Sequence, residues 1–523
     1  MNKPTRQNLY IALTYSITLV GGMFLGYKFL KDQGYTIQKP SAVSVNHTAK
    51  VEEIVHIINK KYVDDVNVDS LNHLPIDSLL HKLDPHSNYL PPDKATAQQE
   101  SLEGNFEGIG IEYYILNDTL LVTNVVRGGP AYSAGVKVGD RILKIDKVKV
   151  SGQNLEKVDM VGKIKGKKGT PVQLVMLRPG GIKPLKLSIK RGRVMVSSID
   201  ASYMLTKSIG YIRISRFGAN TDLEFRDSLS VLKARGMSKL ILDLRDNGGG
   251  YLSAATGLAN QLFAENELIV YTEGKHEPRT DYITTGGGLF QQGKLAVLIN
   301  ENTASASEIL AGAVQDLNRG VIIGRRSFGK GLVQEQFPFG DGSALNLTIA
   351  RYYTPLGRSI QKSYKDGYAA YQHELDSRLE EGELTAVKNP EKIKPKEVDG
   401  GGIHPDIYVR MDTSGINKFY RQLLHDKILF DFVYDVLGGK YHHDYLEKNF
   451  GNFNISTSDF NLFIKYLERK KITIDYPQLY AAKTVISNDL RVLLYKYHLG
   501  DSGYFKALNQ RDPVIKQALT SLK

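Results

Sequence analysis

The stretch "SKLILDLRDNGGGYLSAATGLANQLF", residues 238–263, passes from an almost unbroken apolar run through three glycines into a helix-forming segment. The apolar run suits a strand in a sheet covered on both faces, because neither side of it is reserved for water. The glycines fit a tight strand-to-helix turn. The same alternation continues on either side. "SIGYIRI" (208–214) reads as a strand and "TDLEFRDSLSVLKARG" (221–236) as a helix. "KLAVLIN" (294–300), "SASEILAGAVQDL" (305–317) and "GVIIGR" (320–325) then read as strand, helix and strand. Strand and helix in turn predict an α/β core.

Working outward, the pattern changes on both sides. Toward the N-terminus, "GIGIEYYI", "LLVTNVV", "GDRILKIDKVKV", "TPVQLVMLR" and "LKLSIKR" show strand alternation, with "GGPAYSAGV" opening a short helix. They predict a β-rich module over residues 97–193. "AKVEEIVHIINKK" and "IDSLLHKL" have apolar residues at helical spacing, and "DPHSNYLPPD" stops them, so 46–95 is expected to be helical and to belong to the core. Toward the C-terminus, tyrosine-rich amphipathic segments such as "INKFYRQLLHDKILFDFVYDVL" predict a separate helical domain over 411–523, leaving 194–410 for the α/β core. A chain of 523 residues accommodates this multidomain plan.

At the start of the chain, residues 7–27 carry no charge over 21 residues, enough to cross a bilayer core. No small-x-small cleavage site follows, so residues 1–30 are expected to be an uncleaved anchor in preference to a signal peptide. If the chain enters the membrane with its N-terminus inside, everything after the anchor lies outside the cytoplasm. The net charge of +12 is spread along the chain and not gathered in a basic arm, which argues against a nucleic-acid partner. There is no cysteine, so disulfides, thiolate metal sites and cysteine catalysis are excluded. No H-E-x-x-H, phosphate-loop or G-x-S-x-G pattern occurs, so no metal or nucleotide cofactor is implied.

Four stretches carry candidate chemistry. "EGIGIE" (107–112) can form a nest of backbone N–H groups for a carboxylate beside an open strand edge, or merely a bulge. The glycine run 248–250 can offer N–H groups to an oxyanion, or simply make its turn. "TASASEIL" (303–310) contains Ser305 with Glu308 in the S-x-x-E capping-box pattern; the same helix start would also favour a nucleophilic serine, with Ser307 as rival. In "SFGKGLVQEQF" (327–337), Lys330 has apolar company. Desolvation would lower its pKa toward a neutral amine able to take a proton from serine. Gln334, four residues on, would share a strand face with Lys330 and could hold its amine. His404, in "GGIHPD", is the best-placed histidine for a triad, but no nucleophile elbow accompanies any serine.

Together, "KYVDDVNVDSL", "LDPHSNYLPP", "FEGIGIE", "LRDNGGG", "TASASEILAGAVQD", "GRRSFGKGLVQ", "YYTPLGRSIQ" and "GGIHPDIYV", in this order, resemble the carboxyl-terminal processing proteases, also called tail-specific proteases. The β-rich module resembles a PDZ domain, which binds free peptide C-termini. The resemblance implies a crotonase-like α/β core and a catalytic Ser305–Lys330 dyad assisted by Gln334. It also implies an oxyanion hole from the N–H groups of Ala306 and Gly249, and a tail-binding loop at Gly108, Ile109, Gly110 and Ile111. Many members have proline where this chain has Gly248, which leaves open which glycine of 248–250 faces the oxyanion. The expected partners are proteins with free C-terminal tails and, through the first helix, a membrane; a homo-oligomer or an adaptor is compatible. The competing expectation is an inactive PDZ scaffold that captures tails without cutting.

Overall fold

The structure is a computed structural model that describes residues 47–67, 74–152, 155, 158–385 and 395–523. The anchor expected over 1–30 lies outside the described residues. Among those described, no helix is long and apolar enough to cross a membrane. The chain divides into a unit Met1–Ile54 and a unit Val55–Lys523. In the first, the described part is the opening of helix α1 (His47–Lys61).

In the larger unit, helix α2 (Pro92–Glu103) starts with proline in its first turn, where a missing N–H costs nothing. It ends at Gly104, whose φ of 66° makes a left-handed cap. Its apolar periodicity is weak, so these caps were the only sequence sign of it. The chain then enters the β-rich module through β1 (Asn105–Gly108) and leaves it through β7 (Gly192–Met195), which pair with each other. Between them β2 (Ile111–Leu116), β3 (Thr119–Val125), β4 (Arg141–Ile145), β5 (Pro171–Leu177) and β6 (Leu185–Lys190) form an antiparallel sheet in that order. β2 is therefore an edge strand. The short helix α3 (Met160–Ile164) shares its apolar cluster, Met160 and Ile164 packing with Ile111.

The core sheet runs β8 (Ile199–Met204), β9 (Ile209–Ile214), β10 (Lys239–Asp243), β11 (Lys294–Ile299), β12 (Val321–Gly324) and, after a second sheet, a short last strand. Only β8 is antiparallel to its neighbour. All six residues of β9 are buried, as a strand covered on both faces requires. One covering layer is α4 (Thr221–Ala234), α5 (Leu252–Ala259) and α6 (Ala306–Asp316). α6 is buried along its whole length, and its polar residues Ser307, Glu308, Gln315 and Asp316 are hydrogen-bonded inside the protein. The second sheet pairs β13 (Leu332–Pro338) with β14 (Ala344–Tyr353), to which strands Asn88–Leu90 and Leu268–Glu273 also pair. The last strand, β15 (Ile407–Tyr408), adds to β12 in parallel.

The helical C-terminal region does not pack on itself alone. Its long helix α7 (Lys483–Asn509) and final helix α8 (Pro513–Ser521) reach the core. Val514, Ile515, Ala518 and Leu522 cover the other face of the sheet against Tyr211, Ile241, Leu298 and Ile323. Leu116 and Leu121 of the β-rich module share a cluster with Phe432, Val433 and Leu437 of the helical region.

Candidate active site

A cleft of about 520 Å³ gathers residues from the glycine run, the start of α6, the segment before β13, and α2. Ser305, Ala306, Lys330, Gln334 and Gly249 all line it. Ser305 caps α6 with φ 55° and ψ −119°, a conformation that is strained for a residue bearing a Cβ. The capping-box pair with Glu308 is present. Its firm half is the Ser305 N–H donating to Glu308 Oε2 at 2.8 Å. The Glu308 N–H donates at 2.8 Å to the Ser305 carbonyl, so the hydroxyl is not its sole partner. Ser307 is buried and donates its hydroxyl to the Asn247 carbonyl at 3.0 Å, so it is not among the cleft residues.

Lys330 lies just before β13, not in it, so the expected shared strand face is not what joins it to Gln334. A register shift between Val333 and Gln334 re-aims the glutamine instead. Lys330 Nζ donates to Gln334 Oε1 at 2.8 Å, and Gln334 Nε2 donates to the His86 carbonyl at 2.5 Å. The amine opens to the cleft, yet the protein packed around it pulls its pKa below the ordinary lysine value. This desolvation outweighs the attraction of Asp84 and Glu308. His86 stays neutral: burial, then the charges of Lys330 and Lys362, push it down to about 3.

Glu308 does more than its capping pattern signalled. Fully buried, it accepts the Ser327 hydroxyl at 2.5 Å, the Gly329 N–H at 2.7 Å and the Lys330 N–H at 2.9 Å, besides the Ser305 N–H. One carboxylate thus pins the loop carrying Lys330 to the start of the helix carrying Ser305. Burial pushes its pKa up to about 7, against the pull of these donors. The Tyr352 hydroxyl lies 3.1 Å from the Ser305 carbonyl and also contacts the Lys330 carbonyl, a second tie between the two segments.

Gly249 stands against the serine. A Cβ built on it would come 2.7 Å from Ser305 Cβ and 2.9 Å from the Ala306 nitrogen, and its φ of +96° favours glycine besides. Its N–H is engaged, donating to Asn247 Oδ1 at 2.9 Å. The Ala306 N–H is the first of α6, where no intrahelical partner is available.

The chain from 108 to 111 joins β1 to β2. The carbonyls of Ile109 and Gly110 accept from Ala131 at 2.8 Å and Val126 at 3.0 Å, and Gly110 has φ +81°. The turn sits at the head of the edge strand β2, with α3 nearby: a Cβ on Gly108 would lie 3.3 Å from Lys165 Cα. His404 is away from the cleft, and burial lowers its pKa to about 4. Among the described residues no group of three or more His, Asp or Glu is arranged to hold a metal.

Residues 208–367 match the model of peptidase family S41, and residues 98–177 that of the PDZ domain. A carboxy-terminal-processing protease of Bartonella bacilliformis is 35% identical over 349 residues, 66% of this chain and 80% of the relative. The chain belongs to peptidase family S41. The peptidase is also similar to a probable CtpA-like serine protease of Staphylococcus aureus, 33% identical over 67% of this chain and 68% of the relative. Among solved structures, a photosystem II D1 C-terminal processing protease matches at 26% identity over 70% of this chain and 94% of the other, with a TM-score of 0.38. The protein is thus a serine-type peptidase with a PDZ domain. Sequence reasoning missed Glu308 as a tie to Lys330, and missed Gln98, Gln99, Ser101 and Leu102 of α2 as cleft residues. The proline and glycine caps of α2 were the signal available for the latter.

Proposed function

We propose that the peptidase cleaves peptide bonds with a dyad in which Lys330 deprotonates Ser305 and Gln334 holds the amine. The observation that carries this reading is the Lys330 amine itself. It is desolvated, bonded to a neutral amide, and in one cleft with Ser305. Ser305 attacks the scissile carbonyl to form an acyl-enzyme; the proton held on Lys330 passes to the leaving amine, and water then releases the acyl group. The Ala306 N–H and one N–H of the glycine run stabilise the oxyanion. For Gly249 to serve, its bond to Asn247 must open as substrate binds. The PDZ domain takes substrate C-termini at Gly108, Ile109, Gly110 and Ile111, where an extended tail adds to β2. We assign the core the crotonase-like arrangement, place the domain borders at 97–193, 194–410 and 411–523, and put the catalytic part outside the cytoplasm of a bacterium, anchored by the first 30 residues.

The test is a set of substitutions assayed on an unfolded protein with an apolar free tail. Ser305→Ala and Lys330→Ala should each abolish cleavage with unchanged circular dichroism, and their double variant should be no worse, since the pair acts as one unit. Lys330→Arg should fail too, because a guanidinium stays protonated. Ser307→Ala should still cut. Near-parental cleavage by purified Ser305→Ala would overturn the dyad and leave Ser305 a helix cap, whereas an intact parent protein that binds tails but cuts nothing would favour the tail-capturing scaffold.

A further inference from the structure

The walls of the cleft are unusual in charge. Among the described residues, Arg216 is the only charged side chain lining it apart from Lys330, whose pKa is lowered, and no carboxylate lines it. The other polar walls are neutral: Gln98, Gln99, Ser101, Gln334, Gln336 and Asn346. Arg216 follows β9 and precedes Phe217, whose N–H donates to the Gly249 carbonyl at 2.9 Å, so it is carried beside the glycine run.

Its guanidinium is poorly satisfied. Nη2 donates to the main-chain carbonyl of Val196 at 2.6 Å, and Nε is enclosed with no partner. Among the described residues it has no ion-pair partner, although nearby Arg213 pairs with Asp200, Asp243 and Asp246, and Arg245 with Asp243 and Asp512. Arg216 also borders a second cavity of about 910 Å³ between the PDZ domain and the helical region. The carboxylates there, Glu112, Asp200, Glu447 and Asp501, form no ion pair with it. A permanent cation that none of the described carboxylates pairs with leaves its charge to be matched by whatever enters the cleft. A guanidinium, weakly hydrated and forked, matches a carboxylate best.

We propose that Arg216 is a specificity residue that binds a carboxylate of the peptide substrate. Two sources share that chemistry: an Asp or Glu side chain near the scissile bond, and the substrate's own C-terminal carboxylate when the tail is short. The same charge selects against basic residues at that subsite. The proposal rests on the reading of this cleft as the catalytic site.

The experiment uses the full chain in detergent and matched peptides. One series keeps an apolar free tail and places Glu or Gln in turn at each position within three residues of the scissile bond. The other uses short peptides ending near that bond, as free acids and amides. The parent protein should show a kcat/KM ratio of about tenfold for the carboxylate member at one position or in the short series. That ratio should fall as salt is raised from about 50 to about 500 mM. In Arg216→Gln it should drop to about one, and Arg216→Lys should keep part of it. The ratio is taken within each enzyme, so a general loss of activity cancels; if Arg216→Gln is inactive, Arg216→Lys and the salt series decide. Ratios of one throughout for the parent protein, or a ratio indifferent to substitution at 216 and to salt, would overturn the proposal. No cleavage of any peptide by the parent would instead overturn the catalytic reading beneath it.

Discussion

Lys330, the base of the proposed dyad, shows how much of a side chain's chemistry is set by its surroundings. Its type and its apolar neighbours are visible in the chain, but the depth of desolvation comes from protein packed around the amine, including the segment with Asp84 and His86, about 245 residues away. Two consequences follow from its lowered pKa. Activity needs the neutral amine, so kcat/KM should rise with pH to a plateau whose apparent pKa lies below 10.5; a profile with its midpoint at or above that value would contradict the role. For stability, the unfolded chain binds this proton more tightly than the folded one. The charged lysine therefore opposes folding below its folded pKa, and the penalty fades as pH rises toward 10.5. Lys330→Met should be inactive yet melt at or above the parent temperature at pH 7, with the advantage shrinking at higher pH. Melting curves over that pH range check it.

At the scale of elements, β2 and the loop before it form a unit whose job depends on an unpaired edge. Among the described residues β2 pairs with β3 alone, so its other edge can accept an extended peptide. The backbone before it turns at Gly110, where a Cβ would meet Val194 at 3.1 Å. Amidating the C-terminus of a tailed substrate should therefore raise KM about tenfold or more through loss of the carboxylate. Gly110→Val should raise KM for the free acid and make the two forms alike. Equal rates for acid and amide in the parent protein would show that the loop does not read tails. The strand pattern of this module was legible because one face of each strand is buried, which imposes a period of two. α2 was not, since it is held by its end caps and by contacts to other segments, and leaves no period to read.

For the whole molecule, the helical C-terminal region is part of the core it follows. α8 covers one face of the central sheet, and Asp512 at its start receives Arg245 at 2.6 Å, next to the loop that leads into the glycine run. On its other side Asp435 accepts Arg141 of the PDZ module at 2.9 Å. Cutting the chain after residue 410 would uncover Tyr211, Ile241, Leu298 and Ile323. At roughly 1.5–3 kcal/mol for each large apolar side chain, this approaches the 5–15 kcal/mol that holds a typical domain together. The truncated protein should be recovered as aggregate or melt far below the parent; a monodisperse product with an unchanged melting temperature would show that the region is dispensable.

The sequence by itself determined what depends on local order. Buried strands, amphipathic helices and the eight short motifs each leave a pattern within a few residues, and together they identified the family and the α/β and PDZ parts. Only the tertiary structure decided what depends on contact between distant segments. Glu308 reads as a capping partner and nothing more until it is seen to bind the Lys330 N–H as well as that of Ser305, because a capping pattern records one partner and not the other three. Arg216 looks like any surface arginine until the cleft around it is seen to hold no carboxylate among the described residues, since charge balance in a cavity is a property of its walls, and these come from six separate stretches of chain.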